Sequence, residues 1–61
     1  MRELLQRFLN KDVWVYLRLN SGFFYKCKLI EISDGNIVIV DRYGGTSVFK
    51  LENIDQVSEW R

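Results

Sequence analysis

Four turn signals, Asn20-Ser21-Gly22, Ser33-Asp34-Gly35-Asn36, Tyr43-Gly44-Gly45 and Glu52-Asn53, divide the chain after Asp12 into short runs. Within the runs the apolar period is two. Val13, Val15, Leu17 and Leu19 alternate with Trp14, Tyr16 and Arg18, the pattern of a strand with one face inward. A second strand is predicted from Phe23 to Ile32, with Phe23, Tyr25, Cys27 and Leu29 as its inward set. Ile37-Val38-Ile39-Val40 is apolar on both faces, which predicts a strand packed on two sides. Thr46 to Leu51 reads as the fourth strand. Ile54 to Trp60 reads as the fifth, with Ile54, Gln56 and Ser58 alternating against Asp55, Val57 and Glu59. Trp14 and Tyr16 fall on the outer side of the first strand, so the helix described next or another subunit is expected to cover them.

The period differs before Asp12. Leu4, Leu5, Phe8 and Leu9 share one helical face, and Glu3, Gln6, Arg7 and Asn10 share the other. The predicted architecture is therefore mostly β: an N-terminal α-helix over residues 1–10, then a five-stranded, strongly bent antiparallel open barrel over residues 12–60, in one domain covering 1–61. Such a barrel leaves edge strands that need covering, and pairing between subunits would cover them.

Size points the same way. At 61 residues a chain buries only about 60% of the surface its unfolded form exposes, so a lone fold is marginal. One cysteine excludes an internal disulfide, and the absence of histidine removes the usual zinc sites. Self-association remains as the staple. The composition, 48% hydrophobic against 28% charged, is that of a folding chain. No apolar run approaches a membrane span, and Arg2, Glu3, Gln6 and Arg7 break the amino end in a way a signal peptide does not. A cytoplasmic location with Cys27 reduced is the expectation.

The residues resemble the Sm-like family of Sm, Lsm and Hfq proteins. Val15-Tyr16-Leu17-Arg18-Leu19-Asn20-Ser21-Gly22 follows the first half of the family's first motif, and Cys27-Lys28-Leu29 stands where its second glycine and leucine belong. Phe49-Lys50-Leu51, with Ile54 and Val57 behind it, occupies the register of the second motif. The helix Leu4-Leu5-Gln6-Arg7-Phe8-Leu9 extends the likeness over nearly the whole chain. Four positions depart from the pattern: Cys27 and Leu51 replace glycines (or, at Leu51, the histidine of Hfq), and Ser33 and Ile37 stand where the family has aspartate and asparagine. The resemblance implies a ring of six or seven copies, the fourth strand of one pairing with the fifth of the next, that binds single-stranded RNA.

Candidate site residues follow. Lys50, at the end of the fourth strand beside a tight turn, would gather once per subunit around a ring, giving a focused positive field from a monomer of net charge +1. An ordinary exposed strand lysine is its plainer reading. Asn36 and Ile37, beside the loop between strands two and three, suit edge hydrogen bonds and apolar contact to a splayed base, or else belong to a simple hairpin. Gln6 and Arg7 resemble the helix face that touches RNA in the family, and otherwise form a solvated face. The aromatics Phe23, Phe24 and Tyr25 suit a core or interface better than base stacking. Arg42 and Tyr43 are weaker candidates in a distal loop.

Catalysis is not expected, because the chain lacks histidine and any nucleophile with a base beside it. Lys26 and Lys28 flank Cys27 but point to the opposite face of a strand, so Cys27 reads as a small buried apolar residue. The carboxylates of Asp34, Asp41, Glu52 and Asp55 fall at turns and strand ends, where Asp commonly satisfies backbone donors. No metal, cofactor or membrane partner is expected. The leading expectation is a homo-oligomeric ring that binds single-stranded RNA. The alternative is a small SH3-like barrel that associates with proteins through its edges, without nucleic acid.

Overall fold

The structure is a computed structural model and describes residues 2–60. Five strands follow the first segment: β1 (Val15–Leu19), β2 (Phe24–Ser33), β3 (Asn36–Asp41), β4 (Thr46–Lys50) and β5 (Ile54–Glu59). They form one antiparallel sheet in the order β4-β3-β2-β1-β5, and β4 and β5 do not close on each other. The molecule is thus the mostly β, open and bent sheet with an N-terminal helix that the periodicity predicts. The Glu52-Asn53 connection is a single 3-10 turn, Leu51–Asn53.

Two local irregularities bend the sheet. β1 pairs with Phe24 to Cys27 of β2, β3 pairs with Cys27 to Ser33, and only Cys27 belongs to both ladders. Leu29 lies opposite Ile39 but Glu31 lies opposite Val38, so Ile30 is an extra residue, and a bulge of this kind kinks a strand and raises its twist. The bulge also changes which residues face inward: Leu29 is buried and Ile32 packs on the core, while Ile30 is 38% exposed. A second irregularity sits between β1 and β5, where Gln56 faces Arg18 but Ile54 faces Leu19. Asp55 is the extra residue there. Ile54 and Val57 consequently both enter the core, correcting the strict alternation that put them on opposite faces.

The hairpin from β2 to β3 is closed by Ser33 opposite Asn36, with Asp34 at φ 52° and Gly35 at φ 76°. Two successive left-handed residues are the type I′ turn whose twist suits a two-residue hairpin, and Asp-Gly is among the pairs that favour it. Phe23 precedes β2 and is 66% exposed, so it is not part of the inward set. It lies at the tip of the β1–β2 hairpin, where its carbonyl accepts the Leu19 N–H at 2.9 Å. Tyr25, Cys27 and Leu29 are inward as predicted.

The helix, α1 (Arg2–Phe8), covers one end of the sheet and packs on β2 and β5. Leu5 is fully buried and Phe8 and Leu9 pack on the core, but Leu4 is 42% exposed and lies off the apolar face expected of it. Adjacent helical residues are about 100° apart around the axis, and this short helix touches the sheet along the line of Leu5. Past the helix, Asn10 turns at φ 57° and donates its N–H to the Leu29 carbonyl at 3.1 Å. The core cluster is Leu5, Val15, Leu17, Cys27, Leu29, Ile37, Ile39, Ile54 and Val57, drawn from α1, β1, β2, β3 and β5. β4 contributes the half-buried Phe49, whose ring centre lies 5.2 Å from that of Tyr25.

Candidate nucleic-acid interface

Asn36 begins β3 and Lys50 ends β4, and the two are direct cross-strand partners. The chain is held shut behind them, because Leu51 donates its N–H to the Gly35 carbonyl at 2.8 Å. Asp34, Gly35, Asn36, Lys50, Leu51 and Glu52 line a cleft of about 510 Å³. The 3-10 turn at its rim is tied to the β1–β2 hairpin: Asn20 donates its backbone N–H to the Asn53 carbonyl at 2.8 Å and its side-chain amide to the Glu52 carbonyl at 2.9 Å. Lys50 is exposed and forms no ion pair among the described residues, so its ammonium is available to a ligand. The cleft offers one exposed cation and one side-chain amide against the carboxylates of Asp34 and Glu52.

The remaining candidates fall elsewhere. Ile37 is fully buried opposite Phe49, so its side chain belongs to the core and gives no apolar surface to a base. Alternation from the half-buried Asn36 places it there. Gln6 and Arg7 stand on the exposed side of α1 and are not among the residues that line the cleft. Cys27 is fully buried, and its thiol is pushed up to about 12, first by loss of solvent and second by the charge of Asp41 opposite it. A thiol held protonated in this way is not a nucleophile. Among the described residues no group of three or more His, Cys, Asp or Glu could hold a metal ion, and no helix is long and apolar enough to cross a membrane.

Sequence reasoning left one arrangement unassembled. On the outer face of β1, β2 and β5, cations and aromatic rings interleave in a continuous stack. Lys28 Nζ lies 4.7 Å from the Trp14 ring centre, and Lys26 Nζ lies 5.5 Å from Trp14 and 4.8 Å from Trp60. The Trp60 ring is 5.3 Å from Tyr16, which stacks on Phe24 at 4.9 Å, and the Arg18 guanidinium lies 5.5 Å from the Phe24 ring. A carboxylate terminates each end: Asp12 pairs with Lys28, and Asp55 lies 3.6 Å from Arg18. The Lys28 hydrogen bond and then its charge hold the Asp12 carboxyl below the usual carboxylate range. Trp14 and Tyr16 are therefore half-covered by the lysines, Phe24 and Trp60. Part of the cover expected from a helix or a second subunit is supplied by their own sheet. The signal for this face was the alternation of Trp14, Tyr16 and Arg18 with Val15 and Leu17, read together with Phe24 and Lys26 on the neighbouring strand.

Comparison with protein-family models, with curated proteins and with solved structures found no match to this chain.

Proposed function

We propose that the chain is the subunit of a homomeric ring of six or seven copies that binds single-stranded RNA without catalysing a reaction. The observation that carries this reading is the pairing of Asn36 with Lys50 across β3 and β4 at the rim of an open cleft. An amide beside a cation suits two parts of single-strand recognition, one group for a base edge and one for phosphate. The open sheet supports the oligomer. β4 and β5, of five and six residues, each present an unpaired edge, and unpaired edges recruit further strands. Assembly also answers the charge problem, because the Asp34 and Glu52 carboxylates offset Lys50 in one cleft while a ring of Lys50 side chains around a shared axis sums their fields. Gln6 and Arg7 are assigned to secondary contacts along α1.

Native mass spectrometry with and without a short uridine-rich or adenine-rich RNA tests the proposal. A six- or seven-subunit mass that increases on adding RNA is expected. Lys50→Ala should leave that mass unchanged, weaken RNA binding and flatten its salt dependence, the slope falling by about 0.7 for each phosphate of a single strand that the variant no longer neutralises. A monomer or dimer indifferent to RNA overturns the reading and favours the second one, a small barrel whose edges and near-neutral surface serve protein association.

A further inference from the structure

The outer stack borders a groove that is separate from the Asn36–Lys50 cleft. Its floor is made by Tyr16, Phe24 and Trp60, and its far wall by Arg42 and Tyr43 in the turn after β3, the space between them being about 400 Å³. That is within the range of small-molecule sites. Tyr16 and Phe24 stack on each other, inclined by 26°, and Phe24, Trp60 and Tyr43 remain 51%, 42% and 82% exposed.

The wall is built to stay in place. Asp41 accepts hydrogen bonds from the backbone N–H groups of Tyr43 and Gly45, both at 2.9 Å, and its own N–H donates to the Gly45 carbonyl at 2.9 Å. A Cβ at position 45 would meet the Asp41 carboxylate at 3.1 Å, so a side chain there would press on the group that fixes the turn. One Asp41 oxygen is therefore engaged in fixing the turn that carries Arg42 and Tyr43. Arg42 lies with its guanidinium 5.0 Å from the Tyr43 ring centre, and Lys26 stands on the opposite side, over Trp60.

We propose that this groove binds a nucleotide, its base against the exposed Phe24, Trp60 and Tyr43 rings and its phosphate held by Lys26 and Arg42. The charges choose the ligand. Two cations against one carboxylate leave the groove positive, which suits a planar ring system that carries an anion. A cationic guest is disfavoured by the charges of Lys26 and Arg42. Base stacking on aromatic side chains is tolerant of sequence. The site lies within one subunit and needs neither a ring nor Lys50. The same chemistry is offered by a free mononucleotide and by one unit of a single strand.

The test is an NMR titration of the full chain with adenosine 5′-monophosphate, with adenosine, and with a short oligoadenylate, following the Trp60 indole N–H and the amides of Phe24, Lys26 and Tyr43. The monophosphate should shift these signals and adenosine should bind more weakly. Tyr43→Ala and Lys26→Gln should each weaken binding by about tenfold, and Lys50→Ala should leave it unchanged. Tyr43 is exposed at a turn tip, so its variant should keep the wild-type circular dichroism. If the oligoadenylate alone shifts the groove signals, and still does so in Lys50→Ala, the guest is a strand and the site stands. Shifts confined to the Asn36–Lys50 cleft, or no groove shift with any of the three ligands, overturn the proposal. Because the Lys50 variant removes cleft binding only, failure of the groove and failure of the RNA-ring reading give different results.

Discussion

The Lys26 ammonium lies 4.8 Å from the centre of the Trp60 ring, on the side of β2 opposite the buried Cys27. The strand thus turns a small apolar residue into the core and its flanking lysine onto an aromatic surface. A sheet of this size has no second layer to cover its outer face. Lysine stems and stacked rings cover it instead, keeping the charged heads in water.

Removing Trp60 should expose that arrangement. The ring contacts Tyr16 and Lys26 together, and its backbone N–H donates to the Trp14 carbonyl at 2.9 Å. Trp60→Ala is expected to lower stability by about 2 kcal/mol, from an aromatic pair and a cation–π contact beyond simple area burial. Urea unfolding measures this, and a loss within about 0.5 kcal/mol would show that the outer stack is ornamental.

Leu4 and Leu5 are adjacent and chemically identical, yet one is 42% exposed and the other fully buried. Leu5→Ala should cost about 3 kcal/mol through lost transfer energy and an unfilled cavity, while Leu4→Ala should change stability by no more than about 0.5 kcal/mol. Equal effects in thermal unfolding would mean that α1 does not pack on the sheet through Leu5.

Gly35 sits at φ 76° beside Asp34 at φ 52° in the β2–β3 turn. Open space surrounds the position, so Gly35→Ala tests backbone conformation alone. A cost of about 1 kcal/mol is expected. The same variant should disturb the cleft, since the Gly35 carbonyl receives the Leu51 N–H; loss of protection of the Leu51 amide in hydrogen exchange would register it.

Burial raises the Cys27 thiol from an ordinary 9.0 to about 12. Its contribution is complete below the unfolded value. As pH rises from about 9 toward 12, the unfolded chain ionises the thiol and the folded chain does not, so stability falls across that window. The urea midpoint of wild type should decline over this range more steeply than that of Cys27→Ala, which removes this one group. Native protein should also resist thiol reagents until it unfolds.

Period and turn chemistry alone were enough for the element types, their order and the open, bent sheet. A buried strand face needs an apolar residue at every second position, and Asp34-Gly35 meets the backbone demands of a tight hairpin without help from the rest of the chain. The inward places of Val15, Leu17, Cys27 and Leu29 were legible for the same reason. Tertiary structure decided what depends on counting across strands. The bulges at Ile30 and Asp55 reverse the facing of everything beyond them, so Ile54 and Val57 share the core, a fact set by the partner strand's register and invisible in one strand's pattern. It decided as well that Ile37 is core while Asn36 and Lys50 meet, because the stretch of chain between those two residues is closed by a ladder. The outer stack belongs here too: Trp14, Lys26 and Trp60 come from three strands or their flanks, and only pairing in register brings a cation within reach of a ring.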